Sequence, residues 1–207
     1  MVPTRLSLIT CNIWLTERWP ARAPALERFL ALFAPDVFCV QELQRPTQEF
    51  LDRVLSGYAR VQDPFSGWTN ESNIYWNEAL LEETEHGAED VAHVEPERRM
   101  SWARLQIKSS QRTVFVATAH LTSARHGDES ETGVSPRVQQ LKRIADELTR
   151  RVKAYVTQRR RKLPDELTDR EILFFAFCFA CIVVPHRSRR ITGRVHGCLH
   201  EFASPGG

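Results

Sequence analysis

The stretch PDVFCVQEL, residues 35–43, decides the fold. Val37, Phe38, Cys39 and Val40 are apolar without interruption, and Pro35 stops any helix that precedes them. An apolar run this short, with no polar alternation, predicts a strand covered on both faces. Gln41 and Glu42 end the run, so the strand carries a carboxylate to the rim of its sheet. The same pattern occurs twice more, with LSLIT running into Asn12 and VFVATA into His120. Three buried strands therefore each deliver one polar side chain, and delivery to a shared rim would suit a phosphoesterase site.

Outward from this stretch, the chain alternates strand-like and helix-like segments as far as residue 150. Arg5–Trp14 reads as the first strand. Leu26, Phe29, Leu30 and Phe33 stand at i, i+3, i+4 and i+7, so ALERFLALF predicts an amphipathic helix with that face packed. TQEFLDRVLSGY, with Phe50, Val54 and Tyr58 four apart, predicts a second helix that Gly57 ends. ARVQD and SNIYWN read as short strands. The acidic stretch LEETEHGAEDVAHVEPE, residues 81–97, reads as a surface loop from its charge and its Pro and Gly. SWARLQI and RTVFVATAHL, joined by KSSQ, predict an antiparallel hairpin. Ser135-Pro136 then opens a helix, with Val138, Leu141, Ala145, Leu148 and Val152 marking its packed face.

The composition changes near residue 151. Residues 151–207 carry 11 Lys/Arg against 5 Asp/Glu, leaving 17 against 21 for residues 1–150, so a net charge of +2 hides an acidic body and a basic tail. We divide the chain there, into a body of 1–150 and a basic, aromatic tail of 151–207. In the tail, Thr168 and Glu171 form a capping-box pattern that predicts a helix carrying ILFFAFCFACIVV, residues 172–184. Thirteen apolar residues are too few for a transmembrane helix, which needs about 20, so that segment is expected to be buried or bound to a protein partner. Five cysteines without regular spacing do not describe a disulfide framework, and the opening residues lack a signal-peptide pattern. An intracellular protein, cytoplasmic or nuclear, is expected. Asn70-Glu71-Ser72 then matches a glycosylation acceptor only by coincidence.

Phosphate-ester hydrolysis needs a cation, an oriented water and donors for charge on the phosphoryl oxygens. Glu42 is a hard oxygen ligand of the kind that Mg²⁺ accepts while keeping several waters. Asn12 can orient that carboxylate or donate to phosphate, and His120 can stabilise the pentavalent phosphorus. Taken singly, each of these residues is more often a solvated strand end or a core-edge histidine bonded to a carbonyl. Cys178, Cys181, His186, His196, Cys198 and His200 offer soft ligands, but a CxxC within an apolar run is poor zinc spacing, so zinc is not expected. Arg159–Lys162 reads as a solvated helix end rather than a nucleic-acid contact.

TCNIW at 10–14, PDVFCVQEL at 35–43, SNIYWN at 72–77 and TAHL at 118–121 together resemble the endonuclease/exonuclease/phosphatase family, with the tyrosyl-DNA phosphodiesterase branch nearest. The resemblance covers residues 5–150. It implies an α+β fold, a two-sheet β-sandwich flanked by helices, present here as its N-terminal half to two-thirds with an unrelated tail. It also implies a Mg²⁺-dependent phosphoesterase, with Mn²⁺ as a substitute, acting on a phosphate ester that includes nucleic acid among its candidates. By position Glu42 becomes the metal ligand, Asn12 a catalytic residue beside metal and phosphate, and His120 a catalytic residue at the phosphate. Arg99, or its neighbour Arg98, is the candidate substrate contact. Two family features are missing from the sequence, the Gly-Asp-x-Asn strand after the TAHL helix and a C-terminal Asp-His pair. Gly127-Asp128-Glu129-Ser130 lies before that helix and His186 follows Pro185. Impaired activity is the expectation, and a non-catalytic remnant that binds a partner through its apolar tail is the alternative.

Overall fold

The computed structural model describes residues 5–122, 133, 135–162, 175–180 and 196–197. Two β-sheets lie face to face with helices on their outer sides. The first sheet holds β1 (Leu8–Asn12), β2 (Val37–Gln41), β3 (Tyr58–Arg60), β4 (Ser72–Asn77) and β9 (His196–Gly197), in the order β3-β4-β2-β1-β9. The second holds β5 (Leu81–Glu89), β6 (Met100–Ile107), β7 (Thr113–His120) and β8 (Phe175–Ala180), in the order β5-β6-β7-β8. The helices are α1 (Trp19–Phe33), α2 (Arg45–Val54), the single turn α3 (Gly67–Asn70) and α4 (Pro136–Lys162).

Period-two alternation explains why the decisive run has no polar residue. Val37 and Cys39 point between the sheets, where they meet Ile74, Trp76, Leu105, Val114 and Val116. Phe38 and Val40 point outward, into a second core with Leu30 of α1 and Phe50 and Leu51 of α2. β7 is divided in the same way, since Phe115, Ala117 and Ala119 face outward to a third core with Ile144 and Leu148 of α4. β1 and β2 run parallel, with Asn12 paired to Gln41, so both strands deliver their last residues to one rim.

Several expectations are corrected. The acidic stretch is half strand, because residues 81–89 form β5, antiparallel to β6 with a bulge between Glu83 and Glu85. Its charges face solvent along a sheet edge, where they discourage pairing with another chain. The packed face of α4 is rotated, with Gln140, Ile144 and Leu148 buried while Val138 and Leu141 are exposed. Helix α2 ends at its cap Leu55 rather than at Gly57, and Tyr58 belongs to β3. In the tail, residues 175–180 are the strand β8, parallel to β7, where a helix was expected. The rest of that expected helix, and the side chains of the cysteine and histidine cluster, lie outside the described residues.

The first helix also starts earlier than its apolar face indicates, at Trp19, and Phe33 of the expected face is exposed. Pro20 and Pro24 hide this beginning from a sequence reading. Helix α4 passes through residue 151 without a break. Arg151 stacks over the Trp102 ring at 3.8 Å and pairs with Glu89 of β5.

Candidate active site

At one rim the space between the sheets turns from apolar to polar. Gln41, completely buried, donates from Nε2 to Thr10 Oγ1 at 3.0 Å and to Thr118 Oγ1 at 2.6 Å, joining the two sheets. Ser72 and Ser101, also buried, share a hydroxyl bond of 2.8 Å across the same gap. Thr10, Gln41 and Thr118 have inward parity, and two residues further along β1 and β7 the same parity brings Asn12 and His120 to the mouth.

Glu42 would by alternation turn away from that mouth. Its backbone is left-handed, with φ 54°, and this breaks the alternation. The carboxylate instead meets the other two predicted residues. Asn12 Nδ2 donates to Glu42 Oε1 at 2.7 Å, and His120 Nε2 stands 3.3 Å from the same oxygen. Asn12 Oδ1 accepts the Trp14 N–H at 2.9 Å, which fixes the amide with its nitrogen toward Glu42. Both of these Glu42 contacts use Oε1, and among the described residues Oε2 has no hydrogen-bond partner.

The opposite side of the imidazole faces a second carboxylate. His120 Nδ1 lies 3.5 Å from Glu71 Oε2, too long for a sound hydrogen bond, and both atoms are buried. Glu71 Oε1 accepts from Arg98 Nε at 2.9 Å, and Arg98 also reaches Glu95 at 2.7 Å. Burial opposes ionisation of Glu71, but the nearby His120 imidazole and the bonded Arg98 guanidinium outweigh this and hold the carboxyl below the usual range. His93 lies in the same loop as Arg98, and burial, with the Arg98 charge next, pushes its imidazole down.

No protein-family model and no curated protein matches this chain. Solved structures do. Zebrafish (D. rerio) TDP2 complexed with a single-strand DNA product is 21% identical, with a TM-score of 0.57, over 71% of this chain and 56% of that one. A mannosyl-6-phosphatase from Bacteroides thetaiotaomicron is 15% identical, with a TM-score of 0.58, over 70% of this chain and 60% of that one. An endonuclease/exonuclease/phosphatase from Bacteroides vulgatus is 15% identical, with a TM-score of 0.60, over 72% and 62%. The described chain has the endonuclease/exonuclease/phosphatase fold. It has that fold in incomplete form, since it spans less than two-thirds of the length of these structures.

Within this endonuclease/exonuclease/phosphatase fold, the three residues read from the sequence come together at one mouth. Arg99 does not join them. Its guanidinium lies 4.4 Å from the Phe65 ring centre and bonds the Pro96 carbonyl at 3.1 Å. Arg98 is the arginine that enters the mouth, through Glu71. Glu71 itself was missed as a site residue, because it drew notice only as part of a glycosylation-like triplet. A usable signal existed, since Glu71 directly precedes the buried strand SNIYWN as Arg98 nearly precedes SWARLQI. Among the described residues no group of three or more His, Cys, Asp or Glu is set to hold a metal ion. No helix among them is long and apolar enough to cross a membrane.

Proposed function

We propose that this chain is a Mg²⁺-dependent phosphoesterase of reduced activity, its catalytic residues all within residues 1–150, with the tail of 151–207 adding β8 and β9 to the two sheets. The observation that carries this reading is the meeting of Asn12, Glu42 and His120 from strands of two different sheets. A merely structural rim would not need a left-handed glutamate to aim its carboxylate inward.

The donor set fits a lightly held hard cation. One carboxylate with an uncommitted oxygen suits Mg²⁺, which keeps most of its waters, and does not suit a closed zinc cage. Glu42 would hold the ion through Oε2, with Asn12 fixing the carboxylate as its neighbour. Bound there, the ion supplies charge neutralisation for the phosphate. His120 is placed to donate from Nε2 to a non-bridging phosphate oxygen, exchanging its long contact with Glu42 for a shorter one. Glu71 stands 3.5 Å from Nδ1 on the far side of the ring. Arg98, rather than Arg99, stands ready to lend charge toward a substrate backbone. The Gly-Asp-x-Asn and Asp-His motifs that orient and activate water in the family are not found within these 207 residues, and each typically contributes two or more orders of magnitude.

The substrate class is a phosphate ester, and the single-strand DNA held by the zebrafish TDP2 neighbour supports a nucleic-acid substrate for this chain too. The test is hydrolysis of bis(p-nitrophenyl) phosphate with and without Mg²⁺. Stimulated turnover that disappears in Glu42→Ala supports the assignment, and equal background release by both proteins refutes it.

A further inference from the structure

The loop between β5 and β6 carries another histidine, which the hydrolysis scheme leaves unused. Val91 anchors this loop in the same outer core as Trp102. Ala92 then takes left-handed backbone, φ 62°, with its N–H bonded to Asp90 Oδ1 at 2.7 Å. The turn leaves Val94 in solvent and His93 half-buried. From His93 an unbroken series of contacts leads to the mouth. His93 Nδ1 accepts the Glu95 N–H at 3.1 Å, and Glu95 Oε2 accepts from Arg98 Nε at 2.7 Å. Arg98 Nε also reaches Glu71 Oε1 at 2.9 Å, and Glu71 Oε2 lies 3.5 Å from His120 Nδ1.

The bond to Glu95 occupies Nδ1, so the neutral His93 ring carries its proton on Nε2. That donor is buried without a hydrogen-bond partner, as are Glu71 Oε2 and His120 Nδ1. A buried donor and a buried carboxylate oxygen, both unpaired, are costly unless they serve each other. The charges that act on the His93 imidazole are those of Arg98, Glu95, His120 and Glu71, and burial together with Arg98 favours its neutral form. We infer that His93 is a positioning residue for the hydrolysis, whose Nε2–H serves Glu71 Oε2 and so fixes the carboxylate that stands behind the His120 ring. A neutral donor suits this place, because a lysine or arginine would repel Arg98 and draw Glu71 away from a protonated His120. The inference rests on the phosphoesterase reading for what His120 does.

Two substitutions separate this role from that of a turn-capping side chain. Asparagine carries an acceptor where Nδ1 stands and keeps the bond to the Glu95 N–H, but it has no donor at the Nε2 position. Glutamine is the reverse, with an amide N–H that reaches the Nε2 position and no acceptor placed for Glu95. Turnover of bis(p-nitrophenyl) phosphate by the full chain in Mg²⁺ buffer is expected to fall about tenfold in kcat for His93→Asn, the worth of one hydrogen bond to a charged group, with KM unchanged. His93→Gln should recover most of that loss. Equal rates in all three proteins, an equal loss in both variants, or the reverse order overturns the inference. A second measurement does not depend on turnover. In proton–nitrogen correlation spectra the His93 Nε2 proton is expected to exchange slowly and to move upfield in Glu71→Gln, and a signal that stays in place overturns the contact. A shifted signal in a protein without Mg²⁺-stimulated turnover would retain the contact and reject the hydrolase reading. Turnover that neither variant changes would do the reverse.

Discussion

Among the described residues two histidines lie between two carboxylates, and only one of them stands at the mouth. His86, on the edge strand β5, bonds Glu83 at 2.6 Å through Nδ1 and Asp63 at 3.2 Å through Nε2, with its ring edge-on to Trp68. His120 faces Glu42 at 3.3 Å and Glu71 at 3.5 Å, and its Nδ1 is buried without a hydrogen bond. The first arrangement is closed and satisfied, so it works as a clasp holding β5 to the loop after β3. The second is deeper, looser and flanked by strained backbone at Glu42. Slack of this kind is what a binding group needs, because a donor already held at full strength has nothing left to offer a phosphate. A histidine between carboxylates is therefore not by itself a site, and its bond lengths separate the two roles.

The comparison breaks first at Glu42. Replacing it with alanine is expected to reduce Mg²⁺-stimulated release from bis(p-nitrophenyl) phosphate by at least about a hundredfold, with the thermal midpoint held. His120→Gln should lower turnover by a comparable but smaller factor, about tenfold to a hundredfold, while His86→Gln leaves turnover within error; equal losses in the two variants would erase the distinction drawn here. The clasp side is tested through Gly87, where an added Cβ would lie 2.7 Å from the Trp102 ring. Gly87→Ala is expected to cost about 1–3 kcal/mol in urea unfolding, since the bulky indole is itself packed and cannot retreat.

The smallest effect is a pH dependence. Burial lowers the His86 pKa, but the bonds to Glu83 and Asp63 outweigh it and leave the net shift upward. Its stabilising contribution is therefore complete below about pH 6.5, the value in an unfolded chain, and fades as pH rises through the higher folded value. Glu71 has the opposite sign, with its contribution present above the ordinary carboxylate range and lost as pH falls through its lowered folded value. Urea midpoints measured from pH 5 to 9 should show the wild-type advantage over His86→Gln shrinking by about 1 kcal/mol. A constant gap across that range would mean that the His86 imidazole titrates alike in the folded and unfolded chains.

What was legible in the sequence follows from how many faces each element buries. PDVFCVQEL and RTVFVATAHL are buried on both faces, so their strands and the polar residues that end them could be read directly. β5 was not legible because its charges mimic a loop, a consequence of lying at a sheet edge. On α4 the buried position is held by Gln140, which bonds both the backbone and the hydroxyl of Thr122, and an apolar count steps over it onto Val138 and Leu141. The site was legible where a strand ended in it and illegible where a loop entered it. Asn12, Glu42 and His120 close strands, whereas Glu71 and Arg98 stand before strands and His93 follows a left-handed Ala92 that no residue preference announces.

The parallel pairing of β7 with β8 has a consequence for how the chain is made. Parallel neighbours cannot be joined by a tight turn, so α4 must be synthesised before the strand that flanks His120 exists. As the polypeptide emerges from the ribosome, β7 waits with one hydrogen-bonding edge unclaimed through several seconds of elongation. Long-range pairing of this sort is slow to nucleate, which makes that interval the point at which chaperone demand and misassembly should concentrate.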